Sequence, residues 1–436
     1  MKTGTPCIQM SLVFICLGLM FIGCGDARDG QRADGRASIT YWRTLTGAAG
    51  DAQDALVERF NDEHDTVYVS SEFQGSYSDL AAKLVTAAAA GRGPNVTQLG
   101  TFEIRQFAQS DLLVDLRPFI EGENGLDTSD WPGTMLDAGN VDGGIYWLPF
   151  NVTVPVLYYN IEAFEEAGID GPPETWDEFF DYAERLTKRD SNGRVTRHGV
   201  ALWRITWPYV SMIWSEGGEL TDRDYNEVTL NDPVAVRMLT QVQWLVRDRR
   251  ATAPDTASGG HRAAFQSGQA AMILDSPAAF RELVEGARGF TTGVATYPAG
   301  AAGRVFAPGG GGLAMLSYTT PEKRDAAWAF IKHMLSAESL AEFASESGYL
   351  AFTEGAQKVA PDLMEDERHA RLHAALPYVR GDFSVTMSPA VRNAFDEAYQ
   401  SIVINLTDVQ ETLDAANARA IEGVGREQAR RSAVAR

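Results

Sequence analysis

Apolar positions along the chain fall into short runs of strand character separated by longer stretches with helical spacing. Residues 38–42 read as a strand, and 51–64 place Leu56, Val57 and Phe60 on one face of a helix. A second strand is expected over 67–73, a helix over 78–90 that stops at Gly91, and a third strand over 95–99. This alternation has the spacing of a parallel α/β layer. The pattern restarts after Phe150, where the unbroken apolar run 154–159 fits a strand covered on both faces. Pro172 and Pro173 then precede a helix with Thr175 and Glu178 spaced as a capping box and Trp176, Phe179, Phe180, Ala183 and Leu186 as its buried stripe. Thr320 and Pro321 open another, with Ala326, Trp328, Phe330, Ile331 and Met334 as its apolar content. No internal repeat is visible, and the fold class expected is α/β in two lobes.

Ahead of this body, Lys2 and the apolar run 8–23 have the order of a cleaved export signal, too short for a good membrane span. Residues 19–23, followed by Cys24, resemble the lipobox of bacterial lipoproteins, with Phe21 where leucine is usual. The segment 1–23 is therefore expected to be a signal peptide, Cys24 the lipidated first residue of the mature chain, and 24–37 a flexible linker. The other reading is an ordinary signal peptide beside a chance cysteine. Cys7, Cys16 and Cys24 are the only cysteines, so removal of the leader leaves no pair to form a disulfide. A remaining body of about 410 residues is large enough for two cores without such staples. The net charge of −21 disfavours a nucleic-acid partner, which would need clustered Lys and Arg.

Motifs for chemistry are sparse. Gly309 to Gly312 lack the Lys-Ser/Thr that would complete a phosphate loop, and neither His-Glu-x-x-His nor Gly-x-Ser-x-Gly occurs. His369 and His373 lie four apart in a charged stretch and read as a solvated helix face. Asp222, Asp224 and Asn226 lack the glycine and terminal glutamate of a calcium loop. No metal or cofactor is expected. Trp203, Trp207, Tyr209 and Trp214 crowd one segment. Trp214 suits a core, and Trp203 or Trp207 suits a stacking surface for a ligand's C–H face.

Other segments carry a resemblance. Tyr41-Trp42-Arg43 with Thr46-Gly47, the run 73–77 with its Gly75-Ser76-Tyr77, the run 149–160, Gly309 to Gly312, residues 325–331 and Gly348-Tyr349-Leu350 together resemble the extracellular solute-binding family. That family includes the maltose- and glycerol-phosphate-binding proteins of ABC importers, and the similarity is greatest to the glycerol-phosphate branch. The resemblance implies a type II periplasmic-binding-protein fold with the ligand between lobes joined by hinge crossovers. The lobes expected are 38–152 with 306–335, and 153–305 with 336–436. Matched to ligand-contacting positions of the branch are Tyr77, Thr101 (with Glu103 two residues on), Thr153, Ser276, Gly309, Gly310 and Tyr349. Tyr77 also reads as a turn-closing tyrosine, and Thr153 as a β-branched strand residue. The branch's phosphate-gripping arginine falls on Phe383, with Arg380 nearby, which favours a neutral sugar over glycerol phosphate. The chain is thus expected to be a non-enzymatic, monomeric lipoprotein outside the cytoplasmic membrane. It would bind a sugar or polyol and deliver it to ABC permease subunits. A secreted carbohydrate-active enzyme or a sensory lipoprotein of the same fold are the alternatives.

Overall fold

In the computed structural model, residues 34–222, 227–253, 259–381 and 388–434 are described. The expected leader, Cys24, the linker up to residue 33 and Phe383 lie outside these residues. Strands run β1 Ala37–Arg43, β2 Val67–Phe73, β3 Val96–Gly100, β4 Asn140–Val141, β5 Gly144–Ile145, β6 Leu148–Thr153, β7 Val156–Asn160, β8 Lys188–Arg189, β9 Val195–Ala201, β10 Thr252–Ala253, β11 Ala270–Asp275, β12 Thr292–Thr296 and β13 Gly309–Met315. Two main sheets result, ordered β2-β1-β3-β13-β6 and β10-β9-β11-β7-β12. In the first, β1 is parallel to β2 and β3, whereas β13 is antiparallel to β3 and β6. In the second, β9 is parallel to β10 and β11, whereas β7 is antiparallel to β11 and β12.

Each sheet therefore includes a strand that arrives directly from the other lobe. β6 passes through Val154 and Pro155 into β7, and β12 returns through residues 297–308 into β13. The apolar run 154–159 spans that first crossing, with its strand beginning at Val156 because proline lacks an N–H for the ladder.

The flanking helices form for reasons the sequence states locally. α1, Gly47–Glu63, buries Leu56, Val57 and Phe60, and Phe60 meets Phe330 edge-on with centroids 5.3 Å apart. α2, Tyr77–Ala89, starts with a capping box between Ser76 and Asp79 and buries Leu80 and Leu84. The helix Trp176–Arg185 has the Thr175–Glu178 capping box in both directions, and Trp176 packs edge-on against Tyr297 at 5.4 Å. These caps satisfy backbone N–H groups that the first helical turn leaves unpaired.

The helix Ala337–Ser347 differs from the expected lobe boundary at 335. It lies on α1 of the first lobe, with Arg59 of α1 bonded to both Glu342 and Ser339. Amphipathic spacing marks one face for burial and does not say which lobe covers it. The chain touches the second lobe at Gly348 and still lies on the first through the helix Glu354–Val359, where the Gly355 N–H donates to Asp130 at 2.7 Å. His369 and His373 are also not a solvated face, since both are buried on the helix Glu367–His373. No helix among the described residues is long and apolar enough to cross a membrane.

Backbone demands concentrate on β13. Gly310 has φ 90°, and a Cβ there would collide with the Asn151 carbonyl of β6. Replacing Gly310 by Ala should destabilise the protein by on the order of 2 kcal/mol or more. Gly425, in the helix Val409–Val434, has open space around its Cβ position, and Ala there should stabilise by about 0.5–1 kcal/mol. Urea melts of the two variants should move in opposite directions.

Candidate functional site

The ends of β1, β3, β6, β9 and β11 and the start of β13 converge where the lobes meet, so the loops beyond them form the walls of one cleft. On the first-lobe side a buried polar chain fixes the geometry. The Thr44 N–H and hydroxyl donate to Gln98 Oε1 at 2.9 and 3.0 Å, which turns the Gln98 amide so that Nε2 donates to Asn151 Oδ1 at 2.8 Å. Asn151 Nδ2 then donates to the Tyr77 hydroxyl, also at 2.8 Å. Turning the Asn151 amide over would bond the Gly311 backbone but would set its NH2 against that of Gln98. Burial and the neighbouring Tyr349 hydroxyl push the Tyr77 phenol far up, against the Asn151 bond. Burial likewise raises Tyr349, opposed by Asn151. Both phenols are neutral at physiological pH, able to donate and to accept.

The glycines of β13 let rings approach this chain. Added Cβ atoms would strike Trp207 and Thr153 at Gly309, the Tyr77 hydroxyl at Gly311 and Trp147 at Gly312. Trp207 is buried, and its Nε1–H points to the carbonyls of Ala307 and Pro308 at 3.2 and 3.1 Å, so it braces the second crossover. Trp203 is partly exposed. Its ring stacks on His261 at 5.3 Å with 17° between planes and stands edge-on to Trp207 at 6.1 Å. Of the two candidate platforms, Trp203 therefore has the open surface. Trp214 is buried, beneath the Arg380 guanidinium at 4.3 Å.

Behind Trp203 lies a charged cluster absent from the sequence reading. Arg262 donates from Nε and Nη2 to Asp275 at 2.7 and 2.9 Å, His261 Nε2 lies 3.1 Å from the same carboxylate, and the Ser276 N–H donates to it at 2.7 Å. Burial works to raise Asp275, but the bonds from His261 and Arg262 hold it below the usual carboxylate range. Ser276 is buried in this corner, and its carbonyl accepts from Tyr158 at 2.9 Å.

Across the cleft the lobes meet through opposite charges. Thr101 is buried in the turn after β3, and Glu103, two residues on, is ion-paired at 3.2 Å with Arg392 of the helix Pro389–Val403. That helix belongs to the second lobe, where Tyr399 stacks on Tyr209 at 4.4 Å. The Arg392 guanidinium also lies over Phe102 at 4.8 Å. Burial raises Glu103 above the usual carboxylate range despite Arg392, and its Oε2 has no hydrogen-bond partner. Thr153 Oγ1 is likewise buried without one. Buried polar atoms of this kind suit a ligand rich in hydroxyls.

Tyr77, Thr153, Gly309, Gly310 and Tyr349 are thus gathered around Asn151 and β13, with Trp203 and Trp207 beside them, while Ser276 and Thr101 sit behind the walls. Sequence reasoning did not assign roles to Gln98 or Asn151, although a glutamine within the expected strand 95–99 was a visible signal. Arg392 carried none, because its partner lies in another lobe. Arg380 pairs with Glu219 at 2.7 Å and so sits on the Trp214 side.

Glu103→Gln and Arg392→Gln should each shift the protein toward a more open form, read as a larger radius of gyration. A double-mutant cycle on stability should give a coupling on the order of 1–3 kcal/mol. With Arg392 gone, Glu103 remains raised, so its contribution is present below its unfolded pKa and is lost as pH rises through the folded one. The Arg392→Gln protein should therefore open further as pH rises above the ordinary carboxylate range.

Comparison with known proteins bears on this geometry. Residues 46–341 match the family model described as bacterial extracellular solute-binding protein. The chain is 23% identical to the sn-glycerol-3-phosphate-binding periplasmic protein UgpB of Rhizobium meliloti, across 88% of this chain and 93% of that one. It is 24% identical to the Escherichia coli protein of the same name, across 92% and 94%. Among solved structures, UgpB from Mycobacterium tuberculosis in complex with glycerophosphocholine superposes with a TM-score of 0.80 at 24% identity, covering 90% of this chain and all (100%) of that one. The GacH receptor of Streptomyces glaucescens, solved unliganded and with acarbose, gives 0.75 at 24% identity, covering 89% and 98%. These neighbours share the two-lobe type II binding-protein fold. The chain belongs to the bacterial extracellular solute-binding protein family.

Proposed function

We propose that the protein captures one small polyhydroxylated solute, a sugar or a glycerol-phosphate-type polyol, between its lobes and delivers it to the permease of an ABC importer. The observation that carries this reading is the convergence, at one lobe boundary, of the neutral Tyr77 and Tyr349 hydroxyls with the unpartnered Glu103 Oε2 and Thr153 Oγ1. These groups offer donors and acceptors for hydroxyls, and Trp203 offers a flat face for C–H groups. The relatives named above are glycerol-phosphate-binding proteins, and the structural neighbours were solved with glycerophosphocholine and with acarbose, which supports the solute class. Arg392 supplies a cleft cation where the resemblance put Phe383 in place of the branch's arginine, so a phosphate-bearing polyol stands beside a neutral sugar.

Binding energy drives closure, because neither lobe alone completes the contacts. The protein acts without turnover: Asp275 is held by His261 and Arg262, and Glu103 by Arg392, an arrangement for positioning a ligand. The mature chain is tethered through a lipid on Cys24 and works as a monomer outside the cytoplasmic membrane.

A thermal-shift screen of sugars, polyols and their phosphates should select a ligand, since one that binds only the native state raises its apparent stability. Calorimetry should then show saturable one-to-one binding. Tyr77→Phe and Tyr349→Phe should each weaken it about tenfold with the fold retained, and Tyr77→Phe should also lower the melting temperature of the free protein, because it leaves Asn151 Nδ2 without its acceptor. Unaltered affinity in both variants would remove the site assignment, and chemical conversion of the ligand would overturn the non-enzymatic reading. Cys24→Ala should move the protein from the detergent phase to the aqueous phase on partitioning.

A further inference from the structure

The third passage between the lobes is short, and its backbone is held from both sides. The helix Ala337–Ser347 ends at Gly348, with φ 80°, where the chain turns close against Pro277 and Phe280 of the second lobe. The Tyr349 N–H donates to Ser347 Oγ at 3.2 Å, and the Leu350 N–H to the Val152 carbonyl of β6 at 3.4 Å. Ala351 is gripped twice. Its carbonyl accepts from Gln357 Nε2 at 2.9 Å, and its N–H donates to His373 Nε2 at 3.0 Å. Gln357 lies on the helix Glu354–Val359, whose first turn bonds Asp130 of the first lobe at 2.7 Å through the Gly355 N–H. His373 lies on the helix Glu367–His373, which reaches β12 of the second lobe through Arg371 at the Val294 carbonyl, 3.5 Å away.

The imidazole state follows from its two bonds. His373 Nδ1 is 2.8 Å from the His369 carbonyl, which can only accept, so Nδ1 carries the proton. Nε2 faces an N–H, so it is the bare acceptor of a neutral ring.

We propose that His373 is a positioning residue for the cleft: as a neutral acceptor it holds Ala351, and with it Tyr349 two residues earlier, and protonation of Nε2 releases this crossover. The proposal rests on the reading of Tyr349 as a residue that faces the solute. A proton on Nε2 would stand where the Ala351 N–H already points, so two donors would oppose each other in a buried place and the bond would be lost.

The surroundings favour the neutral ring. Burial pushes His373 below the ordinary imidazole range, opposed by its bond to the His369 carbonyl. His369, its ring 4.0 Å from that of Phe280, is pushed down to about 4, chiefly by burial. The nearby charges are Asp366, which caps the same helix, Arg368 on it and Arg281 on the helix Phe280–Glu285, and they act on His369. Glu367 is paired with Arg371, at 2.5 Å. Because the folded pKa of His373 is depressed, the grip is complete above the ordinary imidazole value of about 6.5 and is lost as pH falls through the folded value.

Hydrogen exchange of the Ala351 amide in the mature protein tests this directly, with its protection factor referred to that of Leu157 in β7. Between about pH 7.5 and pH 4, wild-type protection at Ala351 should fall about tenfold or more relative to Leu157. His373→Gln, which keeps an acceptor of similar reach and cannot titrate there, should stay protected throughout. His373→Leu should lack the protection at every pH. Wild-type protection that does not change with pH, or a His373→Gln protein that loses it as wild type does, would overturn the proposal. The readout uses no ligand, so it is independent of the calorimetry of Tyr349→Phe, which tests whether Tyr349 faces the solute.

Discussion

The cleft depends on a strand that carries almost no side chains at its start. β13 must enter the first sheet between β3 and β6 while rings from both lobes lie against it, and four consecutive glycines make that approach possible. Trp207 occupies the Cβ position of Gly309, the Asn151 carbonyl that of Gly310, the Tyr77 hydroxyl that of Gly311, and the Leu148 carbonyl with Trp147 that of Gly312. The same residues thus serve as a sheet strand, as the second crossover and as the floor beneath Tyr77 and Thr153. A side chain at any of them would displace an aromatic ring or part the sheet.

Two buried carboxylates then divide the work of the lobes. Asp275 receives donors from His261, Arg262 and the Ser276 backbone, and that saturation holds it ionised and fixed behind Trp203. Glu103 has one arginine from the opposite lobe and one oxygen without a partner, so burial dominates and raises it. An ion pair buried in this way costs much desolvation and returns little net stability, but it is sensitive to the loss of either partner. Asp275 therefore builds a wall, whereas Glu103 and Arg392 join the two lobes.

Much of this was legible in the sequence. The capping box at Thr175 and the crossing at residues 149–160 depend on neighbours in the chain, and the structure has them where local rules place them. Burial of His369 and His373 was not legible, because the charges around them mimic a solvated face while Phe280 and Ala351 come from distant segments. The placement of helix Ala337–Ser347 and the partner of Arg392 were hidden for the same reason. Which lobe covers an amphipathic face is decided by the paths of three crossovers, and local spacing does not encode them.

The central claim is that a solute held between the lobes closes them. Val85 on α2 and Ile421 on the C-terminal helix are both exposed, one on each lobe, and Cys24 is the single cysteine that would remain once the proposed leader is removed. Spin labels on a Val85→Cys, Ile421→Cys protein with Cys24 replaced by Ser would report the separation of the lobes by double electron–electron resonance. Addition of the solute that most raises the melting temperature should collapse the distance distribution to a single, narrower population, and Tyr77→Phe should shift the concentration at which this happens. A distribution that stays unchanged at saturating solute would contradict the account.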